Sequence, residues 1–182
     1  DLAALRSEIE AGVELEQADG RGRRAVHLAA HGSHEAIIAE LAAAGANMNA
    51  LDHDAYDAVT IASVANDVKT LQAALAAGNH PDNVTSIYDG TALIAAAHLG
   101  HYKVVRALIE AGAPLDHVNN LNWTAMIESI VLGDGGSNHQ KTLQYLIDAG
   151  ADQTIPDGSG RTPLDLARMR GYREMIEMLG GS

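Results

Sequence analysis

The apolar positions of this chain come in short paired bursts separated by polar turns. Between Thr91 and Asp116 the first burst is Ala92-Leu93-Ile94-Ala95-Ala96-Ala97, and Thr91 can cap a helix that runs from there to His98. Gly100 predicts a tight break after it. The second burst sets Val104, Val105, Leu108 and Ile109 at i, i+1, i+4 and i+5, an amphipathic stripe on one face of a second helix. Gly112 ends that helix, because glycine enters the left-handed conformation at little cost. The Asp- and Asn-containing stretch beyond it predicts an extended turn into the next burst.

The same pattern recurs along the chain. Five Ala-Gly steps place Gly12, Gly45, Gly78, Gly112 and Gly150 at separations of 33, 33, 34 and 38 residues. The helix openings Arg24, Asp57, Thr91, Thr124 and Thr162 follow at 33, 34, 33 and 38. Two markers with one period predict an internal repeat of about 33 residues. One helix pair cannot bury a core by itself, so the 182 residues predict a single elongated, all-α domain of stacked units. The expected division is an N-terminal half repeat over 1–19, repeats over 20–52, 53–86, 87–119 and 120–157, and a capping repeat over 158–182. In the cap, Arg173, Glu174 and Glu177 are interleaved with Met175, Ile176 and Leu179. The half repeat carries only a second helix (Leu2, Leu5, Ile9), so an exposed apolar edge is expected there, pointing to missing residues or a contact.

This unit resembles the ankyrin repeat, whose marks are a Thr-Pro-Leu-His-x-Ala opening, a Gly-His turn and an Ala-Gly-Ala-Asp close. Ala25-Val26-His27-Leu28-Ala29-Ala30, Gly100-His101, Ala149-Gly150-Ala151-Asp152 and Thr162-Pro163-Leu164-Asp165-Leu166-Ala167 carry the likeness. It implies a solenoid of helix-turn-helix units with β-turn fingers, a non-catalytic scaffold that binds a protein partner in a groove between turn tips and inner helices. Residues carried onto that groove are Arg23, Tyr56, Gly90, Trp123 and Arg161 on the tips, joined by Tyr88, and His31, Val64, His98, Leu99, Val131 and Leu132 on the inner helices. Trp, Tyr and Arg dominate binding energy at interfaces, so Tyr56, Tyr88, Trp123, Leu99 and His98 are the candidate contacts. The same aromatics could instead pack between neighbouring tips and stiffen the stack.

Three departures from the repeat stand out. The second full unit opens Asp57-Ala58-Val59-Thr60, turns through Asn66-Asp67 without Gly-His, and closes Gly78-Asn79-His80-Pro81, which predicts a soft spot or an altered finger. The fourth carries five additional residues, 134–138, between its helices. Asp134, Gly135, Gly136 and Ser137 are therefore a candidate recognition loop or backbone nest for an anion, or a tolerated flexible loop. Glu128 stands where Leu28, Ile61, Ala95 and Leu166 sit in the other units. A carboxylate on that apolar face must be paired, or else offers a polar contact in the groove.

Composition narrows the partner. The chain holds no Phe and one Trp within a 47% apolar content, a small-residue core suited to close helix packing. The net charge of −12 disfavours nucleic acid and anionic membranes. Basic residues gather toward the ends, as Arg21, Arg23 and Arg24 and as Arg161, Arg168, Arg170 and Arg173, so the acidic middle is either a solubilising surface or a face for a basic partner. There is no cysteine, hence no disulfide or thiolate site, and no apolar run long enough for membrane insertion. A monomer is favoured, and no metal or cofactor is expected.

Enzyme signatures are absent, since Gly158-Ser159-Gly160 sits on a turn tip and no phosphate loop or zinc-protease motif occurs. The nine histidines leave one alternative, a small-ligand, haem or metal handling protein. Against it, the resemblance implies structural places for His27, His34, His101 and His139. The small bacterial ankyrin proteins that the chain resembles are often exported and sometimes accompany peroxide defence. That resemblance gives a lean to an exported, periplasmic location; the first residue, Asp1 rather than Met, points to a removed signal peptide or disordered leader and leaves the compartment open.

Overall fold

A computed structural model describes residues 2–181. Six outer helices, α1 (Leu2–Glu10), α3 (Glu35–Ala43), α5 (Val68–Ala76), α7 (Tyr102–Glu110), α9 (Ser137–Asp148) and α11 (Arg173–Met178), alternate with five inner ones. The inner helices are α2 (Ala25–His31), α4 (Ala58–Val64), α6 (Ala92–His98), α8 (Ala125–Val131) and α10 (Pro163–Arg170). Each inner helix packs on the next inner helix, and each outer helix on the next outer one. That is a solenoid.

Its inner layer is built from small residues. Ala29, Ala62, Ala96, Ser129 and Ala167 occupy one repeating position and are all buried. Short side chains there let successive helices approach closely, while Leu93, Met126, Ile127 and Ile130 fill the space toward the outer layer. Ile38, Leu41, Leu71, Leu108, Leu143 and Leu146 close the core from the outer helices. On the N-terminal side of α2 no inner helix is stacked among the described residues. Leu28 is therefore 48% exposed, and with Leu5, Val13 and Leu15 it lines an edge cavity of about 420 Å³.

Capping follows the repeat. Thr91, Thr124 and Thr162 accept from the third N–H of their helices, and Asp57 does so for α4. Each helix pair turns through a left-handed residue: Ser33, Asn66, Gly100 and Gly171 have φ of 53°, 56°, 65° and 70°. In the fourth unit the insertion moves this conformation to Gly135, at φ 71°.

The second unit is more thoroughly tied than its sequence suggests. Asp67 caps α5 by accepting from Lys69 and Thr70 N–H, and also takes the Ser33 hydroxyl of the preceding unit at 2.6 Å. Asp57 is fully buried and accepts from Asn79 Nδ2 at 2.8 Å and Asn83 Nδ2 at 2.9 Å. This network stands where His27 works in the unit before, its ring accepting from Arg24 N–H and meeting the Ala50 carbonyl at 3.0 Å. The finger after Pro81 also pairs: β1 (Val84–Thr85) and β2 (Gly90–Thr91) form an antiparallel two-stranded ladder. Pro81 lies before the paired residues, so its missing N–H does not interrupt them.

Candidate functional site

The groove begins with the fingers, and one local device shapes all five of their tips. A polar side chain four residues earlier accepts the N–H of the tip residue: Asp19 for Arg23, Asp52 for Tyr56, Ser86 for Gly90, Asn119 for Trp123 and Asp157 for Arg161, at 2.9 to 3.3 Å. Short Asp, Asn and Ser side chains suit this because they reach their own backbone within a tight turn. Neighbouring fingers are then tied by backbone bonds, His53 N–H to Arg21, Ser86 N–H to Ala55 and Asn120 N–H to Tyr88. Arg23 and Arg161 are drawn back onto Asp19 and Asp157, which hold those carboxyls down at about 2 through side-chain and backbone hydrogen bonds. The two end tips are thereby neutralised by their own turns.

The middle of the groove is different. Tyr56 and Tyr88 from two fingers, Ile94, Ala95 and His98 from α6, and Glu128 from α8 enclose a cavity of about 190 Å³. Four of the sequence candidates, Tyr56, Tyr88, His98 and Glu128, thus share one wall. Leu99 and Trp123 do not line it. Leu99 is exposed at the C-cap of α6, while Trp123 is half-buried against the core beside its finger. Tyr88 is 52% exposed, whereas Tyr56 is half-buried.

Glu128 is 5% exposed. Its Oε1 accepts from Asn119 Nδ2 at 2.9 Å, and Oε2 lies 3.5 Å from His98 Nδ1. Asn119 is itself buried, and its Oδ1 takes the N–H groups of both Leu121 and Trp123. Burial pushes the Glu128 carboxyl up, against the lowering effect of the Asn119 bond. Burial, and then the nearby His139, push the His98 imidazole down, so the pair is not a full ion pair at neutral pH. Folding therefore holds a proton on Glu128 over a window in which the unfolded chain releases it. Stability then falls as pH rises upward from the ordinary value of 4.5. Glu128→Gln keeps the oxygen that accepts from Asn119 and removes this cost. It is expected to raise stability at pH 7 by about 1 kcal/mol, an advantage over the parent that shrinks as pH is lowered, read by urea unfolding at both pH values.

Asn119 escaped the sequence reading, although a signal for it exists. Asp19, Asp52, Ser86, Asn119 and Asp157 run at 33, 34, 33 and 38 residues, in step with the helix openings.

The inserted segment departs from its expected form. Ser137 is the first residue of α9 and not part of a loop, because Gly136 is the N-cap and the helix starts immediately after it. Asp134 accepts Gly136 N–H and the His139 ring at 2.8 Å each, and those bonds lower its carboxyl. The Gly136 N–H is therefore already taken by the chain's own carboxylate. The segment is also gripped from the cap: Tyr172 donates its hydroxyl to the Gly133 carbonyl at 2.8 Å, and its ring lies against Gly135.

Four histidines bond between units. His27, His101, His117 and His139 each place a ring nitrogen on a carbonyl, of Ala50, Ser63, Asp89 and His98 respectively. Among the described residues no three His, Asp or Glu side chains converge as metal ligands. Among them, too, no helix is long and apolar enough to cross a membrane.

Residues 60–157 match the family model for ankyrin repeats, in three copies. The chain is 32% identical to the ankyrin repeat protein YahD of Escherichia coli (strain K12), over 98% of this chain and 89% of that one. An ankyrin repeat domain from Acinetobacter baumannii AYE superposes with a TM-score of 0.92 at 37% identity, covering 100% of this chain and 94% of that one. The actin-binding protein Smlt3054 of Stenotrophomonas maltophilia is 30% identical over 59% of this chain and 40% of its own.

Proposed function

This chain belongs to the ankyrin-repeat family, and on that premise we propose that it is a non-catalytic scaffold that holds a partner protein along the groove between its fingers and inner helices. The observation that carries the reading is the convergence of Tyr56, Tyr88, His98 and Glu128, from four different elements or turns, on one open cavity. Aromatic side chains at a concave surface bury large area at small entropic cost and supply most of the affinity in protein interfaces. The family's general role as an interaction scaffold points the same way, and Smlt3054 is a relative whose name records a protein ligand. The partner's binding face is expected to be basic, given a net charge of −12 and the self-neutralised arginines at both end tips.

The test is capture on immobilised protein from the native source, beside a Tyr56→Ala, Tyr88→Ala, Trp123→Ala variant. At about 1.4 kcal/mol, or tenfold, per aromatic, the triple variant should lose roughly a thousandfold in affinity while keeping its helical signal. Equal retention of the same protein by the folded variant would rule the groove out.

A further inference from the structure

We propose that the cavity bounded by Tyr56, Tyr88 and Glu128 is a receptor for one cationic side chain of the partner, an alkylammonium on an aliphatic stem. The inference rests on the groove reading above and specifies what the groove recognises.

Size comes first. At about 190 Å³ the cavity is smaller than the roughly 300–1,000 Å³ of sites that enclose a drug-sized molecule. It fits a single side chain. Charge comes next. A carboxylate offers about four acceptor positions, and Glu128 has one close donor, Asn119 Nδ2, with His98 Nδ1 at 3.5 Å. Among the described residues no lysine or arginine lines the cavity. Of the other polar side chains that line it, Ser86 Oγ already takes the N–H groups of Tyr88 and Gly90, Thr91 Oγ1 takes that of Ile94, and Asn119 is spent on Glu128, Leu121 and Trp123. An anionic occupant would meet a buried carboxylate, and a neutral apolar one would seal that carboxylate away with its acceptors unmet. An ammonium group satisfies it.

The walls suit the remainder of such a side chain. Ile94 and Ala95 present apolar surface for a methylene stem. The phenol rings of Tyr56 and Tyr88 also line the cavity, and π faces attract a cation. Ala95 matters by being small: the same position holds Ile61 and Leu166 in other units, and either side chain would occupy this space. Ala95 and Glu128 occupy the same repeat position in adjacent units, one opening the cavity and the next charging it.

The experiment titrates the isotope-labelled full chain with Nα-acetyl-lysine methylamide, using Nα-acetyl-norleucine methylamide as the uncharged match, and follows the amide resonances. Saturable shifts at Ala95, His98 and Glu128 with the lysine probe, and at least tenfold weaker binding of the norleucine probe, are expected. Glu128→Gln should bind the lysine probe at least tenfold more weakly, with its own spectrum reporting that it is folded. Tyr88→Ala, at a half-exposed position, should weaken the probe severalfold by a separate route. Equal binding of the two probes, or undiminished binding by Glu128→Gln, would overturn the proposal. A partner protein lost by the triple variant, with no lysine-probe binding to the parent, would leave the groove reading standing and sink this one. Probe binding with no protein held in the groove would do the reverse, and would make the ligand a free amine.

Discussion

Asp57→Ala is expected to cost about 3 kcal/mol of stability, because it leaves buried donors without their acceptor at about 1–3 kcal/mol each. The carboxylate is fully buried, and it serves three donors: Thr60 N–H at 2.8 Å, which caps α4, and the amides of Asn79 and Asn83 in the following finger. Removing it orphans both amides in part. Asn49 Oδ1, which already takes Asn79 Nδ2, Asn83 Nδ2 and His80 N–H, has no capacity to replace it. Because each unit leans on its neighbours, the loss should spread to the units on either side. Urea unfolding measures the total, and amide exchange locates it. Protection lost first in α4 and in the finger at 79–91 is the expected pattern. A change below about 0.5 kcal/mol would mean that the network is not holding the second unit.

The second large effect is at the site itself. Asn119→Ala removes the acceptor for Leu121 and Trp123 N–H and the one close donor to Glu128, so a buried carboxylate is left uncompensated. About 3 kcal/mol of destabilisation at pH 7 is expected. Its pH dependence separates the two contributions. The turn contribution is the same at any pH, whereas the carboxylate contribution fades once Glu128 is protonated, which its raised pKa brings closer to neutrality. A double-mutant cycle gives the same separation: in a Glu128→Gln background the cost of Asn119→Ala should fall by about 1 kcal/mol. An identical cost in both backgrounds would show that the charge on Glu128 adds nothing to the bond it accepts from Asn119. Retained lysine-probe binding by a folded Asn119→Ala protein would show that the cavity does not need its supporting turn.

Much of the scaffold is legible locally. Thr91 and Thr124 cap because a hydroxyl after extended backbone reaches the third helical N–H, whatever the rest of the chain does. Gly100 and Gly112 stop helices because the left-handed conformation costs glycine little. The second unit misleads for the same reason. Its missing Gly-His and its Pro81 read as weakness, but Asn66 tolerates the left-handed turn, and Asp57, Asn79 and Asn83 find each other only after the finger has folded back.

The inserted segment shows the limit from the other side. The extra residues made Asp134 to Ser137 a candidate recognition loop, anion nest or flexible loop; in the fold the exposed Asp134 bonds to Gly136 and His139, and Tyr172 from the next unit bonds to Gly133. Nothing within the segment announces Tyr172, which lies 39 residues on from Gly133.

What the sequence determined by itself is the unit: helix pairs, turns and caps, set by short-range sterics and hydrogen bonding that repeat with the same period as the residues that cause them. What only the tertiary structure decided is which of the candidate residues meet. Tyr56, Tyr88, His98, Asn119 and Glu128 are spread over three repeats, and their distances depend on how far one unit is turned and shifted on the next. That offset is the sum of many small packing contacts between inner helices, so no local pattern encodes it, and a carboxylate facing an aromatic cavity becomes visible only once the units are stacked.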